Sequence, residues 1–256
     1  RPGEKTYRVR GTREPFYTFN VIDGILSVKQ VMAVAKKYNA TITEYLNAVL
    51  LYALLQKQKK ERRIHLRPVK IAMPVNLRRF FPSKTLRNFI TMVYPSIDPR
   101  LGEYSFEEIV IQVHNYMRYY INEKFLKGDI TTNARTQQNS FIRVVPLFIK
   151  DFVVRQFYTQ VQDKNSSAGL TNMGALKVPK DMKPYIDRFD IYMGQPFSSR
   201  TNCAIISFED TLTINFASNI METDVERYFF RKLVADGVHV TIESNREGLD
   251  TFFDQI

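Results

Sequence analysis

The sequence predicts an α/β protein in which a mixed β-sheet has helices packed on it. Apolar residues recur at helical spacing in much of the first half of the chain, and with a period of two from residue 167 onward. The predicted elements follow the order helices, strands, helices, strands, one helix and one strand, which is typical of a layered α/β domain. Hydrophobic residues make up 44% of the 256, enough for a core without disulfides or a structural metal.

The helices are predicted from apolar stripes and from their first residues. Ser27 is expected to cap the first helix. Thr41-x-x-Glu44, Ser105-x-x-Glu108 and Thr223-x-x-Glu226 each have the spacing of a capping box, in which two side chains bond the free amides of the first turn. The predicted helices cover residues 28–39, 42–58, 105–126, 137–160 with a kink at Pro146, and 223–236 ending at Gly237.

The strands are predicted from alternating polar and apolar residues. They cover residues 69–75, 89–97, 167–176, 185–194, 202–209, 211–218 and 238–242, with Glu209-Asp210 as a hairpin turn. Residues 1–19 are expected to form an extended arm in which Tyr7 and Val9 alternate with Arg8 and Arg10. Residues 20–256 are expected to form the remaining subdomain.

Positive charge is concentrated in one segment. The net charge of the chain is +11, and residues 57–87 contain eleven basic residues and one acidic residue, Glu61. Such a field attracts polyanions, although a solvated basic face is an alternative interpretation. The segment has no interleaved aromatic residues and no recognisable nucleic-acid reader, so nucleic acid is not the favoured partner.

Several common functional motifs are absent from the sequence. The ten glycines form no phosphate-binding loop, and one cysteine with three scattered histidines provides neither a disulfide nor a metal-ligand pattern. We therefore expect no metal and no tightly bound cofactor. No apolar stretch approaches the roughly 20 residues that cross a bilayer, and no signal peptide is recognisable, so we expect a cytoplasmic protein without a membrane span. A chain that starts at Arg1 rather than Met is consistent with a piece of a longer protein.

None of the three histidines is expected to be an oriented base. His65 follows a basic run and is interpreted as solvated, while His114 is interpreted as a partly buried structural residue of a helix. His239 precedes Glu243 by four residues, which in a strand corresponds to about 13 Å and is too far for a direct pair.

Four stretches resemble a known enzyme superfamily when taken in order. They are residues 41–48 (Thr-Ile-Thr-Glu-Tyr-Leu-Asn-Ala), 73–80 (Met-Pro-Val-Asn-Leu-Arg-Arg-Phe), 86–89 (Leu-Arg-Asn-Phe) and 169–174 (Gly-Leu-Thr-Asn-Met-Gly). Their order and spacing resemble the C-terminal half of condensation domains and alcohol acetyltransferases, especially the bacterial branch, from about residue 18 to 245. The resemblance implies a chloramphenicol acetyltransferase-like half-domain.

The resemblance also implies an activity and a missing part. Such enzymes have two similar halves with a tunnel between them, and their catalytic histidine lies in a His-His-x-x-x-Asp motif of the N-terminal half. This sequence has no such motif, since Val69 stands at the aspartate position after His65 and Arg118 after His114. The chain is thus expected to form one wall of the tunnel, to need its N-terminal half as a partner, and to be inactive alone.

Two sets of candidate site residues follow. Thr171 and Asn172 are polar residues in an apolar strand and are candidates to face the tunnel and donate to a carbonyl oxygen, although Asn172 and Gly174 also fit a β-bulge. The basic candidates for the phosphates of acyl-CoA, the implied co-substrate, are Arg78, Arg79, Lys84 and Arg87. For Arg78, a structural role in binding backbone carbonyls is preferred over direct contact with the ligand.

Two functions remain open from the sequence. The first is an acyltransferase half that moves an acyl group from acyl-CoA or a carrier thioester to an alcohol or amine. The second is a non-catalytic interaction module of the same fold that docks a carrier protein or another anionic partner. The residues encoded before Arg1 distinguish the two, because a His-His-x-x-x-Asp motif there favours the enzyme.

Overall fold

The computed structural model describes residues 5–15, 18, 20–61, 65–86, 88–138, 166–194 and 200–246, with the backbone alone for 133–138. Five helices lie in this part of the chain: α1 (Val28–Lys37), α2 (Ile42–Lys60), α3 (Phe106–Tyr120), α4 (Glu123–Gln138) and α5 (Asp224–Ala235). The strands there are β1 (Asn20–Ser27), β2 (Val69–Asn76), β3 (Ile90–Val93), β4 (Ser96–Ile97), β5 (Ala168–Ala175), β6 (Thr201–Phe208), β7 (Thr211–Ser218) and β8 (Thr241–Ser244).

The strands form one mixed sheet in the order β3-β2-β5-β6-β7-β1-β8, with β4 paired to β2 off this path. The pairs β2–β5 and β5–β6 are parallel, and the other pairs are antiparallel. This architecture confirms the predicted fold class. The three parallel strands end at the same edge of the sheet, which is the usual place for a ligand site in an open α/β sheet.

Helix α2 is the centre of the hydrophobic core. It packs against α3, α5, α1 and β2, and its side chains from Tyr45 to Leu51 are all buried. The side chains of Leu170, Cys203 and Phe216 complete the core from the sheet. The predicted capping boxes at Thr41 and Ser105 are confirmed, since both the serine or threonine bond and the returning glutamate bond are present.

The N-terminal arm is fixed to this core by alternate side chains. Tyr7 and Val9 are fully buried, and the Tyr7 amide donates to the Pro68 carbonyl at 2.8 Å. The Tyr7 hydroxyl donates to Glu61 at 3.0 Å. The alternate residues Arg8 and Arg10 are exposed.

One face of the sheet carries helices, and a covering segment (residues 186–194) lies across part of the other. We predicted a strand over 185–194, and this was wrong: Tyr185 ends a 3₁₀ helix and the rest pairs with no strand. Its backbone bonds sheet side chains instead, since the Ile191 amide donates to Asn215 at 3.3 Å and the Thr213 hydroxyl donates to the Phe189 carbonyl at 2.7 Å. Extended backbone with alternating residues thus occurs here without a neighbouring strand.

Other predicted elements differ in smaller ways. The helix expected over 105–126 ends at Tyr120, and Asn122 begins α4 by accepting a bond from the Phe125 amide. The strand expected over 89–97 is interrupted at Pro95 and forms two strands. Apart from its first two residues, which end α4, the helix predicted over 137–160 and its kink at Pro146 lie outside the described residues.

The third predicted capping box is absent. Thr223 makes no side-chain cap bond at the start of α5, and the Glu226 side chain instead accepts a bond from Thr201 of β6. Tertiary burial of this glutamate therefore replaces the local bond that its spacing suggests. None of the helices in the described part of the chain is long and apolar enough to cross a membrane.

Candidate functional site

A split opens between the carboxyl ends of β2 and β5. The two strands pair only at Ile71–Ala168 and Ala72–Gly169. In an antiparallel pair, only every second residue directs its backbone N–H and C=O groups toward the partner strand. The Leu77 amide bonds the Phe89 carbonyl on the β3 side, so the backbone of Pro74, three residues earlier, faces the other neighbour, β5. Proline has no N–H to donate, so the β2–β5 ladder ends there. We call the gap beyond it, from Pro74–Asn76 to Thr171–Ala175, the crevice.

A β-bulge shapes the β5 side of the crevice. The register between β5 and β6 shifts between Asn172 and Ala175, and Gly174 has a φ of 76°, a conformation that favours glycine. The Gly174 amide donates to Asn172 Oδ1 at 2.8 Å, and Asn172 Nδ2 donates to Thr43 Oγ1 of α2 at 2.9 Å. Both polar atoms of Asn172 thus hold the bulge and the helix in place.

Thr171 and Asn172 lie on opposite faces of the sheet. A Cβ on Gly169 would meet Met193 and Asn202, so Gly169 and, two residues on, Thr171 face the side of the covering segment. Asn172 faces the helices, where it bonds Thr43. The two candidates for the oxyanion role therefore do not point into one common cavity, and of the two only Thr171 is on the open face.

Next to Thr171, the open face beyond the covering segment is apolar. Met173 of β5 is 55% exposed, and Ile90 and Met92 of β3 are 49% and 37% exposed. Met92 is paired with Pro74, which places it on the same face as the crevice opening. Exposed apolar residues grouped in this way are typical of a ligand or protein contact surface.

The Arg79 side chain extends from the end of β2 across the crevice to β5. A 3₁₀ turn (Leu77–Arg79) follows β2, and the Arg79 guanidinium is close enough to Gly174 that a Cβ there would lie 3.6 Å from Nη2. The Arg79 side chain is exposed and forms no ion pair with the described residues. The structure thus brings together Arg79 and Gly174, which come from two of the motifs in the sequence.

The other basic candidates have different surroundings. Arg78 Nη2 donates to the Thr85 carbonyl at 2.8 Å, which is the structural role considered for it. Lys84 is exposed in the same loop and has no ionic partner among the described residues. Arg87 lies outside the described residues.

The basic segment 57–87 is divided into two surfaces. Strand β2 separates Arg67 at its amino end from Arg78 and Arg79 at its carboxyl end by about 23 Å, from the rise of a strand. Lys57 and Lys60 at the amino end both bond Asp224, at 2.7 Å each. The concentrated charge in the sequence is therefore not one anion-binding surface in the fold.

One histidine has an acidic neighbour that the sequence did not reveal. His114 Nδ1 lies 3.3 Å from Glu44 Oε1, although its geometry is not that of a hydrogen bond. Without a hydrogen bond this contact does not orient the ring as a base, and His114 is the partly buried helix residue that we predicted. The pair joins α2 to α3 across 70 positions of sequence, which no local spacing can show. His239 is exposed, and its backbone amide bonds Gln30.

Among the described residues, no group of three His, Cys, Asp or Glu side chains is arranged to hold a metal ion. Cys203 is fully buried, and burial raises the pKa of its thiol well above the ordinary value, so it is protonated at neutral pH. Neither a metal-binding cluster nor a reactive thiol thus accompanies the crevice in the described part of the chain.

The fold is shared with solved acyltransferases and condensation domains. A trichothecene 15-O-acetyltransferase from Fusarium sporotrichioides superposes with a TM-score of 0.56 at 14% identity, covering 89% of this chain and 48% of that one. A wax ester synthase/diacylglycerol acyltransferase from Marinobacter aquaeolei VT8 gives 0.53 at 11%, covering 90% and 51%. The first condensation domain of a calcium-dependent antibiotic synthetase gives 0.51 at 15%, covering 93% and 51%.

The chain spans about half the length of these solved structures. No curated protein sequence matches it significantly. The sequence model of the alcohol acetyltransferase family matches residues 24–203, which is more than half of the chain and includes α2, the Pro74–Arg79 stretch and the β5 bulge. On this match, the chain belongs to the alcohol acetyltransferase family.

Proposed function

We propose that the chain is the C-terminal, tunnel-forming half of an acyltransferase. In this proposal the enzyme transfers an acyl group from acyl-CoA, or from a carrier-bound thioester, to an alcohol or amine. The observation that carries the proposal is the crevice, across which the exposed Arg79 guanidinium, which has no ionic partner among the described residues, lies near Gly174. The family membership and the shared fold support general acyl transfer.

The crevice has the two chemical characters that an acyl thioester of coenzyme A requires. The phosphates of the donor carry negative charge, which Arg79 can bind through a two-pronged guanidinium contact and Lys84 as a point charge. The pantetheine arm and the acyl chain are largely apolar, like Met173, Met92 and Ile90 on the adjacent face. The donor would therefore lie with its phosphates at Arg79 and its thioester along the open face.

The base for the reaction is assigned to a second half of the protein. Acyl transfer requires a group that accepts the proton of the alcohol or amine, and the sequence has no His-His-x-x-x-Asp motif. His114 faces Glu44 in the α2–α3 contact, and its Nδ1 is buried, so that nitrogen is not available to a substrate. We therefore expect the chain alone to be inactive, and the partner half to cover the open apolar face.

Thr171 is the residue of this chain best placed to contact the reacting carbonyl. Its side chain is on the open face at the crevice, whereas Asn172 is held by Thr43 and Gly174. In the proposed complex, the Thr171 hydroxyl donates to the carbonyl oxygen as negative charge develops on it. A cytoplasmic location, where acyl-CoA is available, is part of the same proposal.

The alternative is a non-catalytic module of the same fold that docks a carrier protein or another anionic partner. In this alternative, the residues encoded before Arg1 carry no His-His-x-x-x-Asp motif either. Acyl transfer by the complete protein, measured as thiol release from acetyl-CoA with a panel of alcohols, separates the two functions. Turnover supports the enzyme, and its absence in a correctly folded complete protein supports the module.

Arg79→Ala should weaken coenzyme A binding by about 10- to 100-fold, the usual loss for one charge-assisted hydrogen bond of roughly 1.5–3 kcal/mol. The measurement is calorimetric titration of the complete protein with coenzyme A and with its 3′-dephospho form. A larger loss for the fully phosphorylated ligand assigns Arg79 to the 3′-phosphate, and an equal loss assigns it to the pyrophosphate.

Arg231→Ala is the matched control, because Arg231 is exposed on α5, away from the crevice, and has no ionic partner among the described residues. Arg78 is unsuitable for this test, since its bond to Thr85 shapes the loop that carries Lys84. Equal affinity of wild type and Arg79→Ala for both ligands, with the fold intact, would contradict the phosphate contact.

A further inference from the structure

We propose that a second basic surface, at the amino ends of the parallel strands, binds an acidic polypeptide segment of a partner protein. This arm surface consists of five arginines, Arg8, Arg10, Arg13, Arg67 and Arg200. It lies at the opposite end of β2 from the crevice, about 23 Å away by the rise of the strand. The proposal is independent of the acyl-transfer function.

The arm holds two of these arginines in a fixed outward direction. Tyr7 and Val9 are buried against the core, so that the alternate residues Arg8 and Arg10 point to solvent. The bond from the Tyr7 amide to the Pro68 carbonyl brings the arm beside the chain segment that enters β2, in which Arg67 precedes Pro68. The backbone that carries the charges is thus already ordered before a partner binds, which lowers the entropic cost of association.

Arg13 and Arg200 are joined to the same surface by backbone bonds. Arg200 Nη1 donates to the Gly11 carbonyl at 2.8 Å. The Asn219 amide donates to the Arg200 carbonyl at 3.2 Å, and the Glu14 amide donates to the Asn219 carbonyl at 3.0 Å. The arm and the start of β6 are therefore adjacent, and their arginines are on one side of the molecule.

Two carboxylates beside the arm, Glu61 and Glu222, are hydrogen-bonded to the arm. Glu61 Oε1 accepts bonds from the Tyr7 hydroxyl and the Arg10 amide, and Glu222 accepts from the amide and hydroxyl of Thr12. Arg10, Arg13 and Arg67 form no ion pair with the residues that the structure describes.

The positive charges of the arm surface repel one another. The pKa of Arg200 is lowered by burial and, after that, by the nearby charges of Arg13 and Arg8, while Glu222 and Glu61 offset part of this effect. Five guanidiniums outnumber the carboxylates of Glu61 and Glu222, and Glu14 is paired with Arg246, so the surface is positive and is stabilised by a bound anion.

An acidic polypeptide fits this surface better than a nucleic acid. Guanidinium groups bind carboxylates with two parallel hydrogen bonds. Met221, 45% exposed, bonds Thr12 through its backbone, and Leu66, 36% exposed, precedes Arg67. Arginine with exposed methionine is a composition enriched at protein interfaces. Proteins that bind single-stranded nucleic acids instead present exposed aromatic rings, and the one aromatic ring of the arm that the structure describes, that of Tyr7, is buried.

The test measures binding of a fluorescent peptide rich in Glu and Asp, with two leucines, to the full chain at about 50 mM salt. The variant Arg10→Gln/Arg13→Gln/Arg67→Gln removes three exposed charges of the arm surface. The control Lys29→Gln/Lys37→Gln/Arg231→Gln removes three exposed charges from α1 and α5. Thermal unfolding of all three proteins verifies that the substitutions leave the fold intact.

We expect the arm variant to bind the peptide about tenfold more weakly than wild type, and the control to bind like wild type. Equal binding by the arm variant and wild type, equal weakening by the control, or no binding to wild type would each overturn the proposal. A DNA duplex that binds wild type more tightly than the peptide, and loses affinity in the arm variant, would overturn the assignment of a protein partner.

Discussion

We expect the free energy of unfolding of the wild-type chain to fall by about 3 kcal/mol as the pH rises from about 4.5 to about 7, because of Glu226. The variant Glu226→Gln should not show this fall. Glu226 is in the first turn of α5 and is 2% exposed. Its Oε1 accepts only a long bond of 3.4 Å from Thr201, and its Oε2 has no hydrogen-bond partner among the described residues. Burial therefore raises the pKa of this carboxyl from 4.5 to about 7.

The direction of this pH dependence follows from the number of protons that the folded and the unfolded chain bind. Between the two pKa values of Glu226, the folded chain keeps a proton that the unfolded chain has lost, so stability falls as the pH rises through this range. Below it both states are protonated, and above it the loss is complete. The Glu226→Gln variant should thus be about 3 kcal/mol more stable than wild type at about pH 8, and similar to it at about pH 4.

Urea denaturation across this pH range, reported as the difference between variant and wild type, measures the effect because other titrating groups cancel. Glu107→Gln, at an exposed position in the first turn of α3, is the matched control and should leave the pH dependence unchanged. The same slope in Glu226→Gln and wild type would show that Glu226 is ionised in the folded chain.

Asp224→Asn should destabilise the chain by about 3–5 kcal/mol, the usual cost of leaving one member of a buried ion pair without its partner. Lys57 Nζ lies 2.7 Å from Asp224 Oδ2, and both side chains are largely buried between α2 and α5. Lys60 bonds the other oxygen, but its own side chain is half exposed and can be solvated without a partner. The cost in stability therefore arises from leaving the buried Lys57 ammonium group without its partner.

The pKa of Asp224 sets the pH for this measurement. Burial acts to raise that pKa, but the hydrogen bonds and charges of Lys57 and Lys60 outweigh it, and the net pKa lies below 3.8. The contribution of the pair is therefore present above about pH 4 and is lost only as the pH falls through the lowered value. Urea denaturation at about pH 5.5 keeps Asp224 charged and Glu226 protonated.

Glu103→Gln is the comparison for an exposed pair, since Glu103 bonds Lys59 at 2.9 Å with most of its side chain in solvent. That variant should lose much less stability than Asp224→Asn, because an exposed ion pair contributes little. Similar losses in both variants would mean that the Lys57–Asp224 pair is as well solvated as a surface pair.

Local patterns predicted most of the fold but failed where tertiary contacts decide the structure. The Thr41 and Ser105 capping boxes form, whereas the same spacing at Thr223 does not, because Glu226 is buried against β6. The covering segment has the alternation of a strand, but side chains of β7 satisfy its backbone.

The candidate site was only partly predictable for the same reason. The motifs around Pro74 and Gly174 were recognisable one by one, and parallel pairing of β2 with β5 brings them together. Their order in the sequence does not show that Arg79 crosses to Gly174, nor that Asn172 faces Thr43 while Thr171 faces the opposite side. The His114–Glu44 pair had no signal, because it joins two helices whose contact depends on the whole core.

The most direct measurement of the central claim is a crystal structure of the complete protein with coenzyme A bound. Our account predicts the pantetheine arm in the crevice between β2 and β5, a phosphate within hydrogen-bond distance of the Arg79 guanidinium, and a second half of the protein packed over Met173 and Met92. Coenzyme A bound elsewhere on the chain, with the crevice empty and Arg79 in solvent, would contradict it.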